Sequence, residues 1–281
     1  MVLAVEISNQ SIHIAEILLD YLWVPIVLPL LAFLLGSVIH IKELKKSTDS
    51  EIEGFKNLYN STIKESLKIN AEEILQFLDK RHQMNIEHHL YICKKFNKVV
   101  GFVKFMYSPN YNYIFIAYIA IDKDDFIAKK YAMNFLIKKI YKKFIRNKKA
   151  ELILTEIECN TNGGYITSLA KQINRYAKKY KKQCYIIDIE YIQPSMPSDN
   201  YDRINEEVLS LVYIPMLGLS NEHISKMELL NLINSIYFDI YYPSCNSIMN
   251  REHIGYDYND YLLQIISLYD DLPEYINLIK I

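Results

Sequence analysis

Two glutamates, Glu156 and Glu158, stand two residues apart in the run ELILTEIE at 151–158. The run is rich in β-branched residues and leucine and reads as a strand. A strand's period of two turns both carboxyls to one face, where like charges side by side push one pKa upward. The pair can therefore handle a proton above the ordinary carboxylate range. The bland alternative is a pair of structural acids that bind lysines of a neighbouring helix. His88-His89 invites a metal reading. Adjacent residues in a strand point to opposite faces, however, and no cysteine or carboxylate cluster accompanies them, so no metal is assigned. Cys93, Cys159, Cys184 and Cys245 are scattered, without the short paired spacing of a zinc site or the density of a disulfide scaffold. Reduced thiols are expected.

The chain has 281 residues and 33.2 kDa, with 51% hydrophobic and 23% charged residues. These values disfavour disorder, collagen and a polytopic membrane protein. Seven glycines in the whole chain limit how many glycine-dependent phosphate loops it can contain. A net charge of −1 conceals segregation: residues 1–93 carry 8 basic and 12 acidic side chains, 94–182 carry 20 and 6, and 183–281 carry 4 and 15. The basic middle block attracts phosphate-rich ligands, anionic lipid or nucleic acid, unless it simply faces the acidic blocks or water.

Residues 21–41, YLWVPIVLPLLAFLLGSVIHI, contain no Asp, Glu, Lys or Arg. At about 1.5 Å per residue the stretch spans a hydrocarbon core, which predicts a transmembrane helix. Glu6, Glu16 and Asp20 precede it without any Lys or Arg, the reverse of a cleaved signal peptide. Lys42, Lys45 and Lys46 follow it, so the positive-inside bias predicts a short extracytoplasmic N-terminus at 1–20 and a cytoplasmic remainder. The expected location is the inner cell membrane, single-pass. Residues 42–53 read as a charged linker.

From Gly54 onward the periodicity predicts two helices, the second with Asn70 as N-cap. HHLYICKKF, VVGFVKFMYS and YIFIAYIAID then read as a three-strand meander. The following helix shows Met133, Leu136, Ile137, Ile140 and Phe144 on one face and lysines on the other. The strand at 151–158, a second basic helix started by Gly163 and Gly164, and the runs YIIDIEYI and EEVLSLVYIPM complete the α+β reading. From Ser220, taken as an N-cap, the chain reads as helices to its end. The expected domains are 54–218 and a helical C-terminal extension, 219–281.

This order of elements resembles the GNAT N-acetyltransferase superfamily over about residues 54–245. VVGFVKF, YIFIAYIAID, NFLIKKIYKKF and LILTEIECN with Asn160 carry the resemblance, as do YIQPSMP and VLSLVYIPM. The fold class it implies is a mixed, mostly antiparallel sheet flanked by helices. The activity it implies is transfer of acetyl from acetyl-CoA to an amine, in a cleft where the fourth and fifth strands splay. Free backbone groups of Ile119, Ala120, Ile121 and Asp122 would hold the pantetheine arm like an added strand, with Asn160 beside it. The diphosphate would rest at the start of the next helix, beside Lys129 and Lys130. The family's glycine pattern is degenerate here: in IAKKYA at 127–132 only Ala132 fits, so lysine charge has to compensate for missing glycines. Glu156 or Glu158 would take the amine's proton, and Tyr165 or Tyr176 would reprotonate the thiolate. Cys159 reads as an inert buried thiol.

The sequence therefore predicts a membrane-anchored, cytoplasm-facing N-acetyltransferase with acetyl-CoA and an unidentified amine as partners. The alternative is an inactive GNAT-like module that docks a protein through its C-terminal helices or binds anionic lipid. Nucleic acid is disfavoured, because the aromatics among the lysines fall at core-facing positions.

Overall fold

The computed structural model describes residues 39–64, 68–80, 85–125, 128–148, 150–158, 168–194, 207–217, 222–243 and 258–281. The anchor segment up to residue 38 lies outside the described residues, as do Asn160, Tyr165, Cys159 and Cys245. Among the described residues no helix is long and apolar enough to cross a membrane.

The described strands join into one ten-stranded sheet. Its first strand, β1 (Ile39–Leu44), pairs antiparallel with β2 (Glu87–Lys95), from Ile39 opposite Lys95 to Leu44 opposite Leu90. This corrects the expectation that 39–41 close a membrane helix and 42–53 form a tether. Ile39 and Ile41 extend the uncharged run, yet they alternate with His40 as a strand does. The charges beyond them are used in the fold. Lys42 and Lys94 both bind Glu51, at 2.5 and 2.6 Å. Glu43 accepts from His89 Nδ1 at 2.7 Å and from Lys143 Nζ at 2.8 Å.

Burial pushes the Glu43 carboxyl up, but the hydrogen bonds from His89 and Lys143 outweigh it and hold the pKa at about 2. A depressed folded-state pKa adds stability above the unfolded value of 4.5 and loses it as pH falls through the folded one. Glu43→Gln is expected to cost about 2 kcal/mol at pH 7, the weight of a charged hydrogen bond. Urea titrations across pH should show that difference shrinking between pH 4.5 and pH 2. A constant difference would place Glu43 outside the network.

The meander continues through β3 (Lys98–Ser108) and β4 (Tyr113–Ile121). Beyond it lie β5 (Leu152–Glu158), β6 (Tyr185–Ile187), β7 (Tyr191–Gln193) and β8 (Glu207–Pro215). The run read as one strand at 185–192 divides, because Ile189 N turns back to Ile187 O at 2.9 Å. Strand β8 lies between β5 and β6 and also pairs with β7.

One face of the sheet carries α1 (Ile52–Thr62) and α2 (Ala71–Asp79), packed on Leu90, Ile92 and Phe102. Asn70 caps α2 as expected, accepting from Glu72 N at 2.9 Å. The opposite face carries α3, an unbroken helix over 128–148 with π-type turns at Ala128–Ala132 and Tyr141–Ile145, and α4 (Ser168–Lys179). Leu136, Ile140 and Phe144 of α3 bury against Tyr91, Val103 and Phe105.

The C-terminal part is not a separate helical extension. Residues read there as helix form β9 (His223–Ser225) and β10 (Tyr275–Lys280), which extend the sheet beyond β6. The cap of α5 (Lys226–Ser235) is Ser225 rather than Ser220, accepting from Glu228 N at 3.2 Å. After α5 come a π-type turn at Ile236–Tyr241 and α6 (Tyr258–Ser267). Leu229, Ile233 and Tyr237 pack on Phe115, Leu154 and Tyr191 in the largest core cluster. Strand β10 reads as helix in the sequence because YINLIK carries apolar residues at spacings compatible with either period.

Candidate active site

Strands β4 and β5 run parallel and pair from Tyr113 opposite Leu152 to Ile116 opposite Thr155, where their ladder stops. Both continue, β4 to Ile121 and β5 to Glu158. At the parting β4 carries a bulge: Phe105 of β3 opposes Ile116 and Lys104 opposes Tyr118, leaving Ala117 as the extra residue. A bulge bends its strand and increases the local twist, which steers β4 away from β5. Thr155 Oγ1 donates to Ile116 O at 2.9 Å and closes the last rung. Further along, Asp122 N donates to Val100 O at 2.9 Å. Antiparallel alternation then turns the amides of Ile119 and Ile121 to the side that β5 has left.

The opening has two mouths. A cavity of 390 Å³ lies on the α1–α2–α5 face, and one of 90 Å³ lies on the α3–α4 face. Ile116, Ile119, Thr155, Leu169 and Ile173 border both. The smaller mouth is walled by Met133, Ile137 and Ile140 of α3 and by Tyr176 of α4.

Glu156 and Glu158 both line the larger cavity, in keeping with the period-two face, but they stand in different surroundings. Glu158 is exposed at the rim and pairs with Lys64 at 3.0 Å. Glu156 is enclosed by protein except toward the cavity. It accepts from Tyr191 Oη at 2.5 Å, Tyr241 Oη at 2.6 Å and Gln193 Nε2 at 3.0 Å. Burial pushes its carboxyl up to about 7, against the lowering effect of those three donors. The shift therefore comes from loss of water around one acid and not, as the spacing suggested, from repulsion between two. Burial and the nearby Glu156 charge hold the Tyr191 and Tyr241 phenols protonated, so both remain donors.

Sequence reasoning did not single out the three donors. Tyr191 and Gln193 lie inside the quoted YIQP, and their period-two spacing was the available signal. Tyr241 comes from the part of the chain read as an extension, so nothing local pointed to it.

Of the residues expected to hold a coenzyme, Ile119, Ala120 and Ile121 lie on the diverging part of β4. Asp122 is engaged otherwise, its amide with β3 and its carboxylate with Lys98 at 2.7 Å. Lys129, Lys130 and Ala132 fall in the first turn of α3, where Lys129 is exposed and Ala132 buried. Asp125 occupies the start of that helix: its Oδ1 accepts from Ala128 N at 2.9 Å and its Oδ2 from Lys95 Nζ at 2.8 Å. Tyr176 is half-buried on the smaller cavity, and burial pushes its phenol up. Cys93 and Cys184 are buried, with pKa values raised to about 12 by burial, which makes them inert. His88 and His89 do face opposite sides of the sheet. His88 borders the larger cavity and His89 binds Glu43 on the α3 side.

No family model matches the chain, and no curated protein matches it. Among solved structures, a protein described as an acetyltransferase of the GNAT family from Bacteroides thetaiotaomicron is similar at TM-score 0.51 and 11% identity, over 72% of this chain and 98% of that one. An N-acetyltransferase from Staphylococcus aureus Mu50 gives 0.39 and 14%, over 64% and 99%. The ribosomal-protein-S18-alanine N-acetyltransferase of Escherichia coli gives 0.41 and 10%, over 65% and 97%. The first of these likenesses identifies the fold as that of the GNAT acetyltransferases.

Proposed function

We propose that the chain is an N-acetyltransferase that moves an acetyl group from acetyl-CoA to an amine, with Glu156 as the general base. The observation that carries this reading is the parting of β4 and β5 after Ile116 and Thr155 at the Ala117 bulge, open on both faces of the sheet. The smaller, apolar mouth, with the amides of Ile119 and Ile121 turned away from β3, fits a slender chain of amides, held as an added strand would be. Acetyl-CoA supplies the acetyl group as a thioester. The larger mouth receives the amine, where Glu156 takes its proton as nitrogen becomes nucleophilic. Tyr191, Tyr241 and Gln193 fix the carboxylate's orientation. Tyr176, a phenol that burial keeps protonated and that lines the smaller mouth, would return a proton to the departing thiolate. Release of free thiol from acetyl-CoA in the presence of a panel of amines tests this; no release with any amine by a folded sample refutes it.

Residues 21–38 keep the composition of a membrane anchor, and we include a single-pass tether with the catalytic unit on the cytoplasmic side, beginning at β1 rather than at Gly54. The full chain is then expected in the membrane fraction and extractable only with detergent. Recovery by salt washing alone would remove the tether.

A second reading is favoured by Asp125. Its carboxylate already occupies the α3 start, where a diphosphate would otherwise bind, and no glycine lets the backbone close around phosphate there. On that reading the same fold serves as a binding module without coenzyme. Coenzyme binding separates the two.

A further inference from the structure

Lys104 of β3 is a buried lysine without a counter-charge among the described residues. It is 2% exposed, and among the described residues its Nζ meets His88 Nδ1 at 2.8 Å and Met106 Sδ at 3.4 Å, neither of which carries negative charge. His88 is also 2% exposed, and its Nε2 has no partner among the described residues. Its ring is fixed by stacking on Phe77 of α2, at 4.9 Å between centroids. Lys104, His88, Phe77 and Met106 all line the larger cavity, as do Glu156, Gln193 and Tyr241. A lysine buried this deeply is costly unless something pairs with it.

We propose that Lys104 and His88 bind a carboxylate carried by the acceptor, so that the amine substrate is a free amino acid. This rests on reading the larger cavity as the acceptor side. With a carboxylate in place the Lys104 ammonium donates both to it and to His88 Nδ1, which leaves the proton of a neutral imidazole on Nε2 as a second donor. Burial pushes the lysine down to about 7 and keeps the imidazole neutral well below its usual range, so the pair offers one positive charge at most. One positive charge matches a carboxylate monoanion. A phosphate, with about two negative charges at neutral pH, would leave an uncompensated charge among Phe77, Met106 and Ile69. The volume of 390 Å³ suits a small molecule, since ligand pockets run from about 300 Å³ upward. With its carboxylate held at Lys104, such a substrate extends its amine toward Glu156.

The test uses the full chain and calorimetric titration with the twenty common amino acids, each against its carboxamide, with aminoethyl phosphate as a third arm. At least one amino acid should bind, more tightly than its amide by about 10- to 100-fold, the weight of one charge-assisted hydrogen bond. Lys104→Met, which replaces a buried cation by an apolar chain of similar length, should abolish that preference while leaving acetyl-CoA affinity unchanged. Lys104→Gln serves if the Met variant fails to fold. Equal binding of acid and amide, tighter binding of the phosphate, absence of binding by every amino acid, or a preference that survives both substitutions would each overturn the proposal. Acetyl-CoA binding without carboxylate preference defeats this inference and leaves the acetyltransferase reading standing. Carboxylate binding dependent on Lys104 without coenzyme binding defeats the acetyltransferase reading and leaves Lys104 as a carboxylate site of a binding module.

Discussion

Glu156→Gln is expected to lower kcat by about 100- to 1,000-fold, within the range that a general base contributes, with little change in acetyl-CoA affinity. The carboxyl is raised to about 7, so kcat/KM of the wild type should climb as pH rises through 7 and the base loses its proton. The variant should lack that limb. Glutamine keeps the size of the side chain and its oxygen can still accept from Tyr191, so the loss is chiefly of basicity and not of shape.

The same shift makes a stability prediction of opposite sense to that for Glu43. An acid whose folded pKa is raised binds more protons folded than unfolded between 4.5 and 7, so stability falls as pH rises across that window. Thermal melts should therefore show Glu156→Gln more stable than the wild type at pH 8, with the gain disappearing below pH 4.5. A variant that loses activity and stability together at pH 8 would mark Glu156 as a structural acid. This is the pattern of a site that sacrifices stability for function.

Ile173→Trp should weaken coenzyme binding sharply. Ile173 projects from α4 where the two mouths meet and borders both cavities. An indole there fills the passage between the diverging strands. Forcing a ligand past an overpacked site costs about 1–3 kcal/mol, so affinity for acetyl-CoA should fall about 5- to 150-fold. The side chain is only half-buried, so a melting temperature within a few degrees of the wild type is expected and shows that the fold is intact. A tryptophan variant that binds coenzyme normally would place the arm elsewhere.

The meander, α3, the Asn70 cap and the shared face of Glu156 and Glu158 were legible because each is a local pattern: strand alternation, a 3.6-residue stripe, a capping residue. What escaped was decided at a distance. Strand β1 hides at the end of an apolar stretch, and only the ladder from Glu87 to Lys95 distinguishes it from the tail of a helix. Ribbon strands β9 and β10 lie at 223–225 and 275–280, with α5 and α6 among the described residues between them. The donors of Glu156 come from β7 and from the turn after α5, 35, 37 and 85 residues away. Lys104 sits inside VVGFVKF, a run whose polar member reads as the solvent side of a strand. Instead α2 covers that face, and Phe77 stacks on His88 beside the lysine. Sequence spacing reports which face of an element a residue occupies, but it does not report what the chain later lays against that face.

The divergence of β4 from β5 is the feature on which the chemistry depends, and calorimetric titration of the full chain with acetyl-CoA tests it most directly. The account predicts saturable one-to-one binding by the wild type and much weaker binding by Ile173→Trp. A folded wild-type sample that shows no heat of binding and no change in melting temperature with acetyl-CoA would contradict it.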